Sequence, residues 1–133
     1  MKKILVIDDD VHIGNLVQEM LEKEGYSVTR AYSGTEALLV LAKYKPDLIL
    51  LDLMLPGLNG EELLPKLSGI TTIIVSAKDQ VSDKVDLLLG GAADYITKPF
   101  DMHELLARVA VQLRNSRKLA ETTILTHFNL QMD

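Results

Sequence analysis

The chain has 133 residues, 47% of them hydrophobic, no cysteine, and a formal net charge of −5. That length suits one compact domain with a single well-buried core. The composition excludes disulfides, zinc–thiolate sites and thiol catalysis, and the acidic balance argues against direct binding of nucleic acid, whose phosphates would be repelled.

No run of about 18 apolar residues is present, so no membrane-spanning helix is expected. Met1-Lys2-Lys3 precedes an apolar run at residues 4–7 that ends at once in three acids, too short for the core of a secretion signal. A cytoplasmic protein is expected, and the lack of cysteine is consistent with a reducing compartment.

Residues 4–7 read as a strand. Ile13, Leu16, Val17, Met20 and Leu21 then follow the spacing of one helical face, and Gly25 stands where a helix-terminating glycine belongs. A second apolar run, 28–31, leads to Ser33-Gly34-Thr35-Glu36, a capping-box pattern, after which Ala37, Leu38 and Leu41 should face inward. Residues 48–51 are apolar throughout, as in a strand buried on both faces. A third helix starts near Glu61. Proline fits only near a first turn, so Pro65 predicts a short or irregular helix. Residues 73–75 give a fourth strand. The next helix, about 83–89, has Val81, Val85 and Leu88 as its expected apolar line. Residues 95–96 give the last strand. Asp101 and Glu104 open a fifth helix that should bury Leu105, Leu106, Val109 and Leu113. Composition then shifts: Arg114-Asn115-Ser116-Arg117-Lys118 reads as a helix end or linker, and residues 124–133 alternate weakly, as a strand might.

Strands alternating with helices over short connections imply an α/β fold, a five-stranded parallel sheet with helices on both faces. The flavodoxin-like doubly wound order 2-1-3-4-5 fits, with a functional crevice at the carboxyl ends of strands 1 and 3. At the strand ends along this edge stand Asp8-Asp9-Asp10 after strand 1, Asp52 after strand 3, Ser76 after strand 4 and Thr97-Lys98-Pro99 after strand 5. Several carboxylates in one place repel one another unless a cation compensates, and Lys98 supplies only one positive charge. A hard divalent ion is the natural remainder. Mg²⁺ fits, because it binds through one or two carboxylates and keeps waters that phosphate oxygens can replace. A cation, a lysine, a hydroxyl and a free carboxylate together suit a phosphoryl group.

Four segments carry a family resemblance: Ile4-Leu5-Val6-Ile7-Asp8-Asp9-Asp10; Leu50-Leu51-Asp52-Leu53-Met54-Leu55-Pro56-Gly57-Leu58-Asn59-Gly60; Ile74-Val75-Ser76-Ala77-Lys78; and Asp94-Tyr95-Ile96-Thr97-Lys98-Pro99-Phe100. In this order they resemble bacterial response-regulator receiver domains, over about residues 1–117. The resemblance implies that Asp52 accepts the phosphoryl group. It implies Asp9 as direct Mg²⁺ ligand, Asp8 as holder of metal-bound water, and Met54 as a ligand through its backbone carbonyl. Ser76 and Lys98 are then the hydroxyl and cation that meet the phosphoryl oxygens. Tyr95 is the switch aromatic, and the bond before Pro99 is expected to be cis. Met54 and Lys78 would flank the acyl phosphate. The implied activity is not that of a conventional enzyme: the domain catalyses its own phosphorylation from a sensor histidine kinase, and its own slow dephosphorylation. Of the three acids after the first strand, the first two are favoured as the functional pair, with Asp10 as helix cap.

Two other readings compete. A haloacid-dehalogenase-like phosphohydrolase would use Asp8 as nucleophile, but Val11-His12 follows the acids where such enzymes want a Gly-Thr. A flavin carrier of the same topology would need a hydroxyl-rich phosphate loop where three aspartates stand. His12, His103 and His127 do not cluster, and Gly57 and Gly60 read as turn glycines without a nucleotide motif.

Within the family, Lys98-Pro99-Phe100 followed by Glu104-Leu105-Leu106-Ala107-Arg108-Val109 resembles the OmpR/PhoB-like subfamily. That implies a homodimer on phosphorylation, through the face of the fourth helix, last strand and fifth helix, with Asp94, Glu104, Arg108 and Arg114 as candidate charge partners. It also implies that 118–133 is a linker and the start of a C-terminal DNA-binding effector domain not contained in this sequence. The chain departs from the family at Gly14, Leu87, Gly90 and Ala93, and around Pro65 and Ser68-Gly69.

Overall fold

The computed structural model describes residues 1–77 and 81–122, apart from the side chains of 81–84 and 116–122. Five strands, β1 (Lys3–Ile7), β2 (Ser27–Ala31), β3 (Leu48–Leu51), β4 (Thr71–Ser76) and β5 (Asp94–Thr97), alternate with α1 (Val11–Lys23), α2 (Gly34–Leu41), α3 (Gly60–Leu63), α4 (Val81–Leu89) and α5 (Met102–Thr122). All strand pairs are parallel, in the order β2-β1-β3-β4-β5. The expected flavodoxin-like topology is therefore observed.

Alternate side chains along the strands feed two cores, as the period of two requires. Leu5, Ile7, Ile49, Leu51, Ile74 and Tyr95 pack with Ala37 of α2, Leu63 of α3 and Leu87 of α4. Ile4, Val6, Leu48, Leu50, Ile73, Val75 and Ile96 pack with Val17 and Leu21 of α1 and with Leu105, Val109 and Leu113 of α5. The central strand reads apolar at every position because each side of it meets a helix layer.

Local signals explain where elements begin and end. Asp10 caps α1, its Oδ1 accepting from Ile13 N at 3.1 Å. Gly25 follows the helix at φ +93°, a conformation open to glycine without strain. Ser33 caps α2 through Glu36 N at 3.1 Å. The return arm of the expected capping box differs: Glu36 Oε1 accepts from Tyr32 N, one residue before the cap. Pro65 shortens α3 as expected, and the chain continues as a 3₁₀ turn, Leu64–Leu67.

Four readings are corrected. Along α4, Val85 and Leu88 are exposed, and Leu87 is the buried residue. Three consecutive leucines, 87–89, fit more than one face of a helix, and the sheet covers the first of them. On α1, Leu16 is exposed, at the edge of the face formed by Val17 and Leu21. Arg114-Asn115-Ser116-Arg117-Lys118 is neither a helix end nor an irregular link, because α5 continues to Thr122. Gly60 is not a turn residue but the first residue of α3. The strand expected within 124–133 lies outside the described residues.

Gly14, one of the departures noted above, is buried under the Arg30 guanidinium, which occupies the space a Cβ would need. Arg30 Nη1 donates to Asn15 Oδ1 at 2.9 Å and Gln18 Oε1 at 3.2 Å, tying β2 to α1.

Candidate functional site

The ladder continues one residue past the ends of β1 and β3, and this sets the site. Asp8 N donates to Ala31 O at 3.1 Å, and Asp52 N to Ile7 O at 2.9 Å. Both aspartates are thereby held side by side at the carboxyl edge of the sheet, and both are buried. Asp9 follows and is exposed. One carboxylate oxygen from each of Asp8, Asp9 and Asp52 lies within 4.8 Å of the others. Asp10 turns away to its capping role, so the first two acids of the run are the ones that meet Asp52.

Lys98 reaches the same point from the end of β5. Its Nζ lies 3.1 Å from Asp52 Oδ2 and 3.2 Å from Asp8 Oδ2. Lys98 N also donates to Ser76 O at 2.8 Å, which fastens the ends of β4 and β5 together. The Lys98–Pro99 peptide bond is cis. Ser76 is fully buried at the end of β4, opposite Thr97 in register. Tyr95 is buried, facing the core beneath α4. Lys78 lies outside the described residues.

Each carboxylate also takes a backbone N–H and still keeps lone pairs to spare. Asp52 Oδ1 accepts from Met54 N at 3.0 Å, and Asp8 Oδ1 accepts from Asp10 N at 2.8 Å. Each carboxylate therefore turns one oxygen to its own backbone and the other to Lys98. The Met54 side chain is exposed at the mouth of the site.

Burial raises the Asp52 carboxyl above its ordinary value of 3.8. The Met54 N–H and Lys98 oppose that rise, and Asp8 adds to it. Burial works against the Lys98 ammonium, but the Asp52 and Asp8 carboxylates outweigh it and lift Lys98 above the ordinary lysine value. Lys98 therefore stays charged at neutral pH. Three acids share the site with one ammonium, which contacts two of them, so negative charge is left over. Oxygen-only donors with excess negative charge suit a hard divalent cation such as Mg²⁺. Asp8, Asp9 and Asp52 would hold it, together with the Met54 backbone carbonyl that the family resemblance assigns.

The sequence signalled these side chains but not the packing of the loop that carries Met54. That loop, residues 52–59, buries Leu53 and Leu55 and closes through Gly60 N donating to Leu53 O at 3.0 Å. A Cβ at Gly60 would stand 2.6 Å from Leu53 Cα and 2.7 Å from Asp52 O. Gly60 therefore permits α3 to start directly against the acceptor strand. The only sequence signal was a glycine at the start of a short helix, which reads equally well as a turn.

Comparison with known proteins agrees with this geometry. Residues 4–110 match the family described as response regulator receiver domain. The uncharacterized transcriptional regulatory protein YkoG of Bacillus subtilis (strain 168) is 43% identical over 98% of this chain, which spans 60% of that relative's length. Among solved structures, the receiver domain of Francisella response regulator 1452 superposes with a TM-score of 0.83 at 36% identity, covering 87% of this chain and 99% of that one. The BeF3-activated N-terminal receiver domain of Klebsiella pneumoniae RstA gives 0.80 at 36% identity, covering 85% and 99%. By this match and by its fold, the chain belongs to the response regulator receiver domain family.

Proposed function

We propose that this chain is a two-component signalling module that accepts a phosphoryl group onto Asp52 and passes the change to an effector. The observation that carries the reading is the placement of Asp52: buried, with one oxygen 3.1 Å from Lys98 Nζ, beside Asp8 and Asp9. Asp52 attacks the phosphorus of a phosphohistidine on a sensor histidine kinase. The P–N bond breaks, its electron pair returns to the imidazole, and an acyl phosphate forms on Asp52. Lys98 neutralises charge on the transferring oxygens, and the Ser76 hydroxyl bonds one of them. Mg²⁺, when bound, would supply further charge neutralisation and orient the incoming phosphoryl group. Asp9 and Met54 would ligate the ion directly, and Asp8 would hold its water.

Drawing Ser76 toward the new phosphoryl group alters the space beside Tyr95, which is already buried on β5. We assign Tyr95 as the switch that communicates this change to α4, β5 and α5. On that face Arg108 bonds both oxygens of Asp94, at 3.0 and 2.9 Å, and Oε2 of Glu104 at 3.1 and 3.2 Å. Re-pairing of these charges between two copies would give the homodimer of the OmpR/PhoB-like subfamily. Residues 1–117 would be the receiver, and 118–133 would lead to a DNA-binding effector domain controlling transcription. YkoG, described as a transcriptional regulatory protein, is longer than the region matched here and supports that view. The setting is cytoplasmic in this reading, and no described helix is long and apolar enough to cross a membrane.

The test is to phosphorylate the protein with phosphoramidate and Mg²⁺, reduce the acyl phosphate with borohydride, and map the modified residue. Conversion of Asp52 supports the proposal. Conversion of Asp8 would favour the dehalogenase-like alternative.

A further inference from the structure

Gly34 opens α2, 18 residues before Asp52, and touches none of the carboxylates. It nevertheless meets the loop that carries Met54. A Cβ on Gly34 would run into the Leu58 backbone carbonyl oxygen and stand 3.1 Å from Leu58 Cβ and 3.3 Å from its carbonyl carbon. Backbone atoms cannot rotate away as a side-chain tip can, so either α2 or the loop must shift. Both pack on the same core, Leu58 included, but the loop has no regular helix or strand at Leu58 to brace its backbone. Helix α2 is seated by fully buried Ala37, with Leu38 and Leu41 packed on the same core. Leu58 lies between Gly57, at φ +69°, and Asn59, the cap of α3, so its backbone is the part that can give.

A displacement at Leu58 has nowhere to dissipate, because the loop is a closed ring. Gly60 N–H binds Leu53 O, and Gly60 itself rests on Leu53 Cα and Asp52 O. Met54 lies inside that ring, and its N–H sets the orientation of Asp52 through Oδ1. We propose that Gly34 is a positioning residue for the divalent cation: by allowing α2 to seat on the Leu58 carbonyl, it holds the Met54 loop in register with Asp52. The inference rests on the cation site proposed above.

The test compares Mg²⁺ affinity, by isothermal titration, in the wild type, Gly34→Ala and Ala37→Gly. Ala37→Gly weakens the same helix without adding an atom against the Leu58 backbone, so it controls for a purely structural effect. Gly34→Ala is expected to lower Mg²⁺ affinity by about tenfold, in the range for losing a group that orients a metal ligand. Its rate of phosphorylation by acetyl phosphate should recover at saturating Mg²⁺, while Ala37→Gly keeps wild-type affinity. Equal affinity in wild type and Gly34→Ala overturns the proposal, as does an equal loss in both variants. Leu58→Gly removes the Cβ that faces Gly34 and frees the loop backbone where α2 seats on it, without adding an atom, and answers the question if the alanine variant does not fold. A weakened affinity there supports the proposal, and an unchanged one overturns it. A wild-type chain that takes up no Mg²⁺ overturns the cation site itself, a result distinct from any difference between variants.

Discussion

Asp52→Asn should stabilise the metal-free protein at pH 7. Burial lifts the Asp52 carboxyl above 3.8, so the folded state holds that proton more tightly than the unfolded chain does. For a carboxyl raised on folding, stability is highest below the unfolded value and falls as pH rises through the folded one. At neutral pH the ionised carboxylate therefore works against the fold, and each tenfold difference in proton affinity is worth about 1.4 kcal/mol. Asparagine keeps the shape, and its side-chain oxygen can still accept from Met54 N. Lys98 keeps Asp8 at 3.2 Å. The expected outcome is a higher Tm for the variant, on a scale where each 1 kcal/mol is worth about 3–5 °C for a chain of this size. Calorimetry in chelator at pH 7 and pH 4 measures it, and the gain should shrink at pH 4 as the wild-type carboxyl protonates. Adding Mg²⁺ at about a hundredfold excess over its dissociation constant should stabilise the wild type by about 2.7 kcal/mol and the variant by much less, reversing their order. A variant less stable than wild type in chelator at pH 7 would refute the reasoning, since the Lys98 pair would then outweigh desolvation.

Three further outcomes follow from the same geometry. Lys98→Met removes the ammonium shared by Asp8 and Asp52 and should cost about 2–3 kcal/mol in urea unfolding at pH 7, with part of the loss regained on acidification. Leu105→Ala, at a fully buried position between α5 and the sheet, should cost about 2–5 kcal/mol, while Leu88→Ala on the exposed side of α4 should stay within about 0.5 kcal/mol. Arg108→Ala breaks a partly exposed network with Asp94 and Glu104 and should cost at most about 1 kcal/mol, less in high salt.

Much of the fold was legible because the signals are local. The central strand is apolar at every position, and Asp10, Ser33 and Gly25 mark helix ends by chemistry that acts within a few residues. The site was legible because its side chains stand at strand ends, and a parallel sheet brings strand ends together. What the sequence concealed depends on contacts between distant segments. The run Leu87-Leu88-Leu89 contains no hint of which leucine the sheet will cover, and the structure buries Leu87. Gly14 reads only as a departure from the family until Arg30, from β2, is seen filling its space. Gly34 and Gly60 read as cap and turn residues, whereas their neighbours across the fold are the backbone of Leu58 and of Leu53 and Asp52. A missing Cβ is visible in a sequence, but what approaches it is not.

The most direct test of the central claim is the intact mass of the wild type and of Asp52→Asn after incubation with acetyl phosphate, with and without Mg²⁺. The account predicts one added phosphoryl group on the wild type, dependent on Mg²⁺, and none on the variant. A phosphoryl group that survives the substitution, or a wild type that gains none in the presence of Mg²⁺, would contradict it.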